Sequence, residues 1–311
     1  MVQEGITRIL ESIQKVIVGK QDVLELILAA FLCEGHILIE DVPGIGKTTL
    51  SKSLARCIGC NYSRIQCTPD LLPSDITGSF FFEQKLSKFE FRPGPLMSNI
   101  VLVDEVNRAT PRTQSSFLEA MEERQITVDG TTMHLPRPFL IIATQNPVEL
   151  QGTFPLPEAQ LDRFLLRLSI GYPTEEEEDR MILRFHHENP LEALSETISL
   201  EELLRLIAMV HEVHVEDSLR RYLLEITRRT RVDPLIKLGA SPRASLALYK
   251  AGQALALLQG RDYVIPDDVK RLVVPVLAHR LILSSEASLT KKTKEDFLEG
   301  ILSSIPVPVE E

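Results

Sequence analysis

One stretch, Asp41-Val42-Pro43-Gly44-Ile45-Gly46-Lys47-Thr48-Thr49, restricts this chain more than any other. Before it lies His36-Ile37-Leu38-Ile39-Glu40, a compact apolar run that reads as a buried parallel strand. After it, residues 50–56 have helical spacing. Strand, glycine loop and helix, with Gly-Lys-Thr at the helix start, is the arrangement of a phosphate-binding loop. Each residue type has a physical task. Gly44 and Gly46 let the backbone turn and bring its N–H groups close to an anion. The helix N-terminus adds unpaired donors and partial positive charge. Lys47 supplies a point charge able to bridge two phosphates, and the Thr48 hydroxyl is a hard oxygen ligand suited to Mg²⁺. Pro43, Ile45 and Thr49 complete the loop. The first position of the pattern departs from glycine: it is Asp41. A carboxylate aimed into the loop would repel phosphate, so Asp41 is expected to point away. The plainer alternative, an ordinary strand-to-helix turn, fits the flanking context less well.

Two acids answer this loop downstream. In Asn99-Ile100-Val101-Leu102-Val103-Asp104-Glu105 a buried strand ends in a pair of carboxylates. Ligands of open parallel sheets bind at the C-terminal strand ends, so both acids are expected beside the loop. Asp104 is suited to hold Mg²⁺ through water, and Glu105 to polarise an attacking water. Alone, a strand ending in solvated acids would be unremarkable. A further strand, 139–144, ends in Gln145-Asn146-Pro147, which brings Asn146 towards Glu105, either to orient water or merely to make a turn.

The rest of the chain supplies walls, insertions and a second half. Residues 1–34 read as two helices broken at Ile17-Val18-Gly19-Lys20, where Gly19 allows a turn and the flanking apolar residues, Val18 among them, either wall a planar base or merely turn the chain. Residues 79–82 and 88–91 alternate as a hairpin whose Phe residues either pack onto the domain, the default expectation, or protrude to touch a partner. Residues 126–135, with Asp129-Gly130 at the turn, form a second hairpin. Arg163, at a helix-to-strand corner, is either a structural partner of Asp162 or a charge offered to a neighbouring subunit. Gly171-Tyr172-Pro173-Thr174 reads as a linker. Beyond it helices are expected over about 175–188, 200–213, 216–231, 242–259, 266–280 and 291–303, capped by Thr174, Ser199 and Ser241 among others. Ser241-Pro242-Arg243 holds Arg243 at a rigid helix start, able to reach a γ-phosphate from the second domain. From local sequence alone, a surface arginine is the better reading.

Bulk properties narrow the class. The 311 residues are 44% hydrophobic and carry a formal charge of −10, which suits two globular domains and argues against a dominant nucleic-acid or anionic-membrane surface. No apolar run approaches the ~18 residues of a membrane span, and the N-terminal helix carries Glu4 and Glu11, unlike a secretory leader. A cytoplasmic setting follows as an expectation. Of the four cysteines, Cys57 and Cys60 form a C-x-x-C, for which buried thiols are a plainer reading than half a metal site.

Together, Glu40 to Thr49, Arg92-Pro93-Gly94-Pro95-Leu96, Asp104-Glu105-Val106-Asn107-Arg108-Ala109, Ala143-Thr144-Gln145-Asn146-Pro147 and Glu158 to Phe164 resemble the MoxR family of AAA+ ATPases over residues 15–305. The resemblance implies an α/β fold. Its three-layer α/β/α core with a parallel sheet would span residues 1–171, and a smaller all-α lid would span 172–311. It implies that Val18 and Gly19 wall the planar base, that Gly44, Gly46, Lys47 and Thr48 bind ATP and Mg²⁺ with Asp104, and that Glu105 and Asn146 act on the attacking water. Arg163 would act in trans and Arg243 as a second sensor. The hairpins 79–91 and 126–135 resemble insertions of the branch that includes magnesium chelatase, where a displaced lid leaves open whether Arg243 serves its own or a neighbour's nucleotide. The resemblance further implies a ring, a hexamer, that acts on a client protein, often one with a von Willebrand factor A domain. A nucleic-acid motor is the weaker alternative: the second hairpin has no Lys or Arg between Ile126 and Leu135. A scaffold with little turnover ranks lower, since every catalytic position is filled.

Overall fold

A computed structural model describes residues 2–148, 152–186 and 189–308. The first half runs α1 (Val2–Gln14), α2 (Gln21–Leu32), β1 (His36–Glu40), α3 (Lys47–Cys57), β2 (Tyr62–Gln66), α4 (Pro73–Thr77), β3 (Gly78–Glu83), β4 (Lys88–Pro93) and β5 (Ile100–Asp104). It continues through α5 (Pro111–Glu123), β6 (Gln125–Val128), β7 (Thr131–His134), β8 (Leu140–Gln145), α6 (Glu158–Leu161) and β9 (Phe164–Leu168). The second half comprises α7 (Glu175–Phe185), α8 (Leu200–Val210), α9 (Asp217–Val232), β10 (Ile236–Leu238), α10 (Pro242–Leu258), α11 (Pro266–Leu277), β11 (Ile282–Leu283), α12 (Ser285–Leu289) and α13 (Lys294–Ser304).

Five parallel strands form the central sheet in the order β2-β5-β8-β1-β9. Its inner strands are apolar on both faces, and the period of two sorts their residues cleanly. Ile37, Ile39, Ile100, Leu102, Leu140 and Ile142 enter one core with α1–α3. Leu38, Val101, Val103, Ile141 and Ala143 enter the other with Phe117, Leu118 and Met121 of α5. Helices therefore cover both faces, the three-layer arrangement expected. The lid helices are not a separate droplet: Leu248, Leu255 and Leu272 belong to the same core as α2 and α3. Loops leave β1 and β8 in opposite directions, towards β2 and β9, and this switch opens a crevice at their carboxyl ends.

Caps form where the residue types demand them. Thr174 and Glu177 exchange bonds at the start of α7, Ser199 and Glu202 at the start of α8, and Ser241 caps α10. Three details depart from the sequence expectations. The helical second half also contains an antiparallel β10–β11 ribbon, too short to show as alternation. The helix expected over 175–188 ends at Phe185, and residues 187 and 188 lie outside the described residues. The phenylalanines of the β3–β4 hairpin do not all pack onto the domain: Phe81, Phe82 and Phe89 are 41%, 52% and 70% exposed. The hairpin projects, so only Phe91 near its base reaches the core, while Phe82 and Phe89 pack on each other with ring centroids 5.4 Å apart.

Candidate active site

The crevice at the carboxyl ends of β1, β5 and β8 is a cleft of about 320 Å³ lined by Gly44, Lys47, Thr48, Asp104, Glu105 and Asn146, among others. The loop that supplies the first three turns because Gly44 and Gly46 adopt φ +87° and +90°, where side chains are strained. A Cβ at either would meet no atom within 4 Å, so the requirement is backbone conformation rather than crowding. Lys47 opens α3, and its Nζ donates to the Asp41 carbonyl at 2.7 Å. Burial lowers its pKa below that of an ordinary lysine, against the opposing pull of Asp41, Asp104 and Glu105. The lysine and both acids therefore share one electrostatic environment.

Asp41 does point away from the loop. Its carboxylate accepts from the Ser169 hydroxyl at 3.0 Å and from the backbone N–H groups of Ile170 and Gly171. The residue that breaks the glycine pattern thus ties the loop to the start of the linker.

The acids are held by neighbours from two strands. Asp104 accepts from Thr144 of β8 at 3.1 Å and from Arg64 of β2 at 2.6 Å. Glu105 takes the left-handed conformation, φ 56°, ψ 50°, and its N–H donates to the Thr144 hydroxyl at 2.9 Å. A non-glycine residue there costs about 1–3 kcal/mol, and such strain gathers at functional sites. The Glu105 carboxylate accepts from Gln66 at 3.0 Å and pairs with Arg108 at 3.2 Å. Asn146 lines the same cleft, with its Oδ1 accepting from the N–H of Val148. The donor set around Thr48 and Asp104 is hard oxygen, and the guanidinium on Asp104 shows that the cleft already draws positive charge to that carboxylate. These residues fit a magnesium ion.

Across the loop lies an apolar pocket of about 290 Å³ lined by Val18, Ile45, Leu50, Ile170, Met181 and Phe185, among others. It shares Pro43, Gly44, Gly46 and Thr49 with the polar cleft, so a charged compartment adjoins a greasy one with room for a planar base. Val18 is in that wall as expected. Gly19 is outside the pocket lining: at φ +69° it turns the chain, and a Cβ there would meet the Glu177 carboxyl at 1.8 Å. Sequence reasoning missed Met181 and Phe185, which reach the pocket only because α7 folds back after the linker. It also missed Arg64, Gln66 and Thr144. The first two carried no local signal: they stand two apart on β2 and reach the acids because β2 borders β5, with Gln66 in register with Asp104.

Arg163 and Arg243 are elsewhere. Arg163 precedes β9, whose Phe164 pairs with His36 at the start of β1, while Lys47 follows the end of β1. The length of a strand, about 13 Å, separates the two ends. The two arginines line a second cleft with Glu34, His36 and Glu122. Arg243 therefore stands away from its own chain's phosphate loop in this structure. The cause is Asp162, which accepts from Ser241 at 2.9 Å and from Arg280 at 2.8 Å and so fastens the start of α10 to the amino end of the sheet.

No described helix is long and apolar enough to cross a membrane. Burial pushes the Cys60 thiol up to about 11 and raises Cys57, so neither is a thiolate at neutral pH.

The sequence model of the ATPase family associated with various cellular activities (AAA) matches residues 36–166, and that of the AAA lid domain matches residues 228–301. The chain is 51% identical over 300 residues to protein YeaC of Bacillus subtilis, covering 96% of this chain and 94% of that one. It is 40% identical over 310 residues to the chaperone MoxR1 of Mycobacterium tuberculosis, covering 97% and 82%. A crystal structure from Cytophaga hutchinsonii, described as a candidate ATPase, is 36% identical and superposes with a TM-score of 0.93 over 99% of this chain and 96% of its own.

Proposed function

This chain belongs to the MoxR family of AAA+ ATPases, and we propose that it hydrolyses ATP as one subunit of a ring, hexameric in our reading, to remodel partner proteins. The observation that carries the reading is the single cleft shared by Lys47, Thr48, Asp104, Glu105 and Asn146 at the carboxyl ends of parallel strands. The loop N–H groups and Lys47 hold the β- and γ-phosphates, and the apolar pocket beside Val18 holds the base. Thr48 and Asp104 would hold Mg²⁺, which supplies charge neutralisation on the phosphates. Glu105 takes a proton from a water as it attacks the γ-phosphorus in line; the bond to the bridging oxygen breaks and ADP leaves. Asn146 orients that water. Arg163 and Arg243, remote from the chain's own loop, meet the γ-phosphate of a neighbouring subunit, a contribution worth about 10³–10⁵ in rate for arginines of this kind.

We divide the chain into a core, 1–171, and a lid, 172–311, whose relative movement shifts the two hairpins. The client class is protein, partners with von Willebrand factor A domains among them, and the setting is the cytoplasm. The chaperone naming of MoxR1 and the projecting β3–β4 hairpin support the first of these. Glu105→Gln tests the chemistry: the variant should bind ATP with near-normal affinity and release phosphate at least ~10²-fold more slowly. Near-normal turnover by this variant would remove Glu105 from the mechanism.

A further inference from the structure

One carboxylate answers both of the arginines that stand away from the phosphate loop. Glu122, in the last turn of α5, receives Arg163 on Oε2 at 2.8 Å and Arg243 on Oε1 at 2.6 Å. The first arginine belongs to the sheet and the second to the lid, so this acid bridges two parts of the molecule. The other cations of this cleft do not relieve the imbalance of two arginines on one acid. Arg280 pairs with Asp162 at 2.8 Å, Arg124 shares Glu34 with Arg137, and Lys250 adds a further positive charge to the lining. One negative charge set against two positive ones leaves the pair one charge in excess, and all three side chains are partly open to solvent. That is a site primed to exchange its carboxylate for an anion of higher charge.

We propose that Glu122 is a resident counter-ion that occupies the Arg163–Arg243 fork until the terminal phosphate of an ATP bound to a second copy of this chain displaces it. The inference rests on the trans role given to these arginines above. Glu122 is not what keeps them in place. Arg163 also donates to the Leu118 carbonyl at 3.0 Å. Arg243 sits in the first turn of α10, whose capping Ser241 is bonded to Asp162. Without the carboxylate the fork persists, and what disappears is the competitor. Glu122 thus raises the concentration at which ATP-loaded chains associate, and it couples docking of a neighbour to release of the ion pairs between core and lid. Bonds of this exposure are weak enough to exchange and strong enough to register.

The experiment measures association of the full chain against protein concentration, by sedimentation velocity, with a hydrolysis-resistant ATP analogue and Mg²⁺. Glu122→Gln keeps shape and removes charge, and it should lower the midpoint concentration roughly three- to tenfold. Glu122→Ala should move it in the same direction, which guards against an amide that makes unforeseen bonds. In a chain that also carries Arg163→Ala and Arg243→Ala, Glu122→Gln should cause no such gain, an outcome that a merely structural role would not produce. An unchanged or raised midpoint in both single variants overturns the proposal. If Arg163→Ala alone turns over ATP like the unaltered chain at saturating concentration, the trans reading fails and this inference falls with it. If Arg163→Ala is inactive and the Glu122 variants do not shift, only the counter-ion role is lost.

Discussion

Asp41 shows how a single side chain outranks a pattern. At the first position of the phosphate loop an acid looks hostile to ATP, yet its carboxylate is taken up by Ser169 and by the N–H groups of Ile170 and Gly171. His36 is a second residue whose surroundings decide its behaviour. Its Nδ1 accepts from the Ile141 N–H at 3.0 Å, so Nε2 carries the proton and donates to the Met121 carbonyl at 3.1 Å. Burial holds this imidazole down at about 4, from an ordinary 6.5. Between those values the unfolded chain binds the proton and the folded chain does not, so acidification favours unfolding throughout that window. The full shift corresponds to roughly 3 kcal/mol. Burial and Arg280 push His279 the same way. Urea midpoints measured from pH 7 to pH 4.5 should therefore fall for the unaltered chain. His36→Gln, less stable at pH 7, should show a flatter fall; parallel curves would contradict the assignment.

At the scale of elements, the joint between β9 and the lid is the best-defined feature. The Arg280 side chain is 2% exposed, and its guanidinium reaches Asp162 and the carbonyls of Phe164, Leu165 and Val276. A buried ion pair adds little net stability over an apolar pair, but removing one partner strands the other. Arg280→Met should cost about 3–5 kcal/mol in chemical denaturation. A cost below about 1 kcal/mol would mean that the lid docks through its apolar face alone. The β3–β4 hairpin shows the opposite case. Its sequence alternates as a packed hairpin should, but alternation specifies which residues share a face and not whether anything covers that face. The exposed Phe82–Phe89 pair is the result.

Over the whole molecule, what could be read locally was read. The phosphate loop, the acid-terminated strand β5 and the capped lid helices each carry their signal within about ten residues. What escaped depends on which strands lie side by side and on where the lid docks. Arg64 meets Asp104 because β2 borders β5, and Arg243 shares Glu122 with Arg163 because Asp162 and Arg280, 118 positions apart, hold the lid to the sheet. No local pattern encodes such pairings. In the proposed ring, the same topology would leave each chain with half a site at each end of its sheet. Mixing two defective chains tests that division most directly. Glu105→Gln removes the base beside the phosphate loop, and Arg163→Ala removes the remote arginine. Each should release little phosphate alone, whereas an equimolar mixture should regain activity, because some interfaces then join an intact cleft to an intact arginine. A mixture no more active than its two parts would contradict the account.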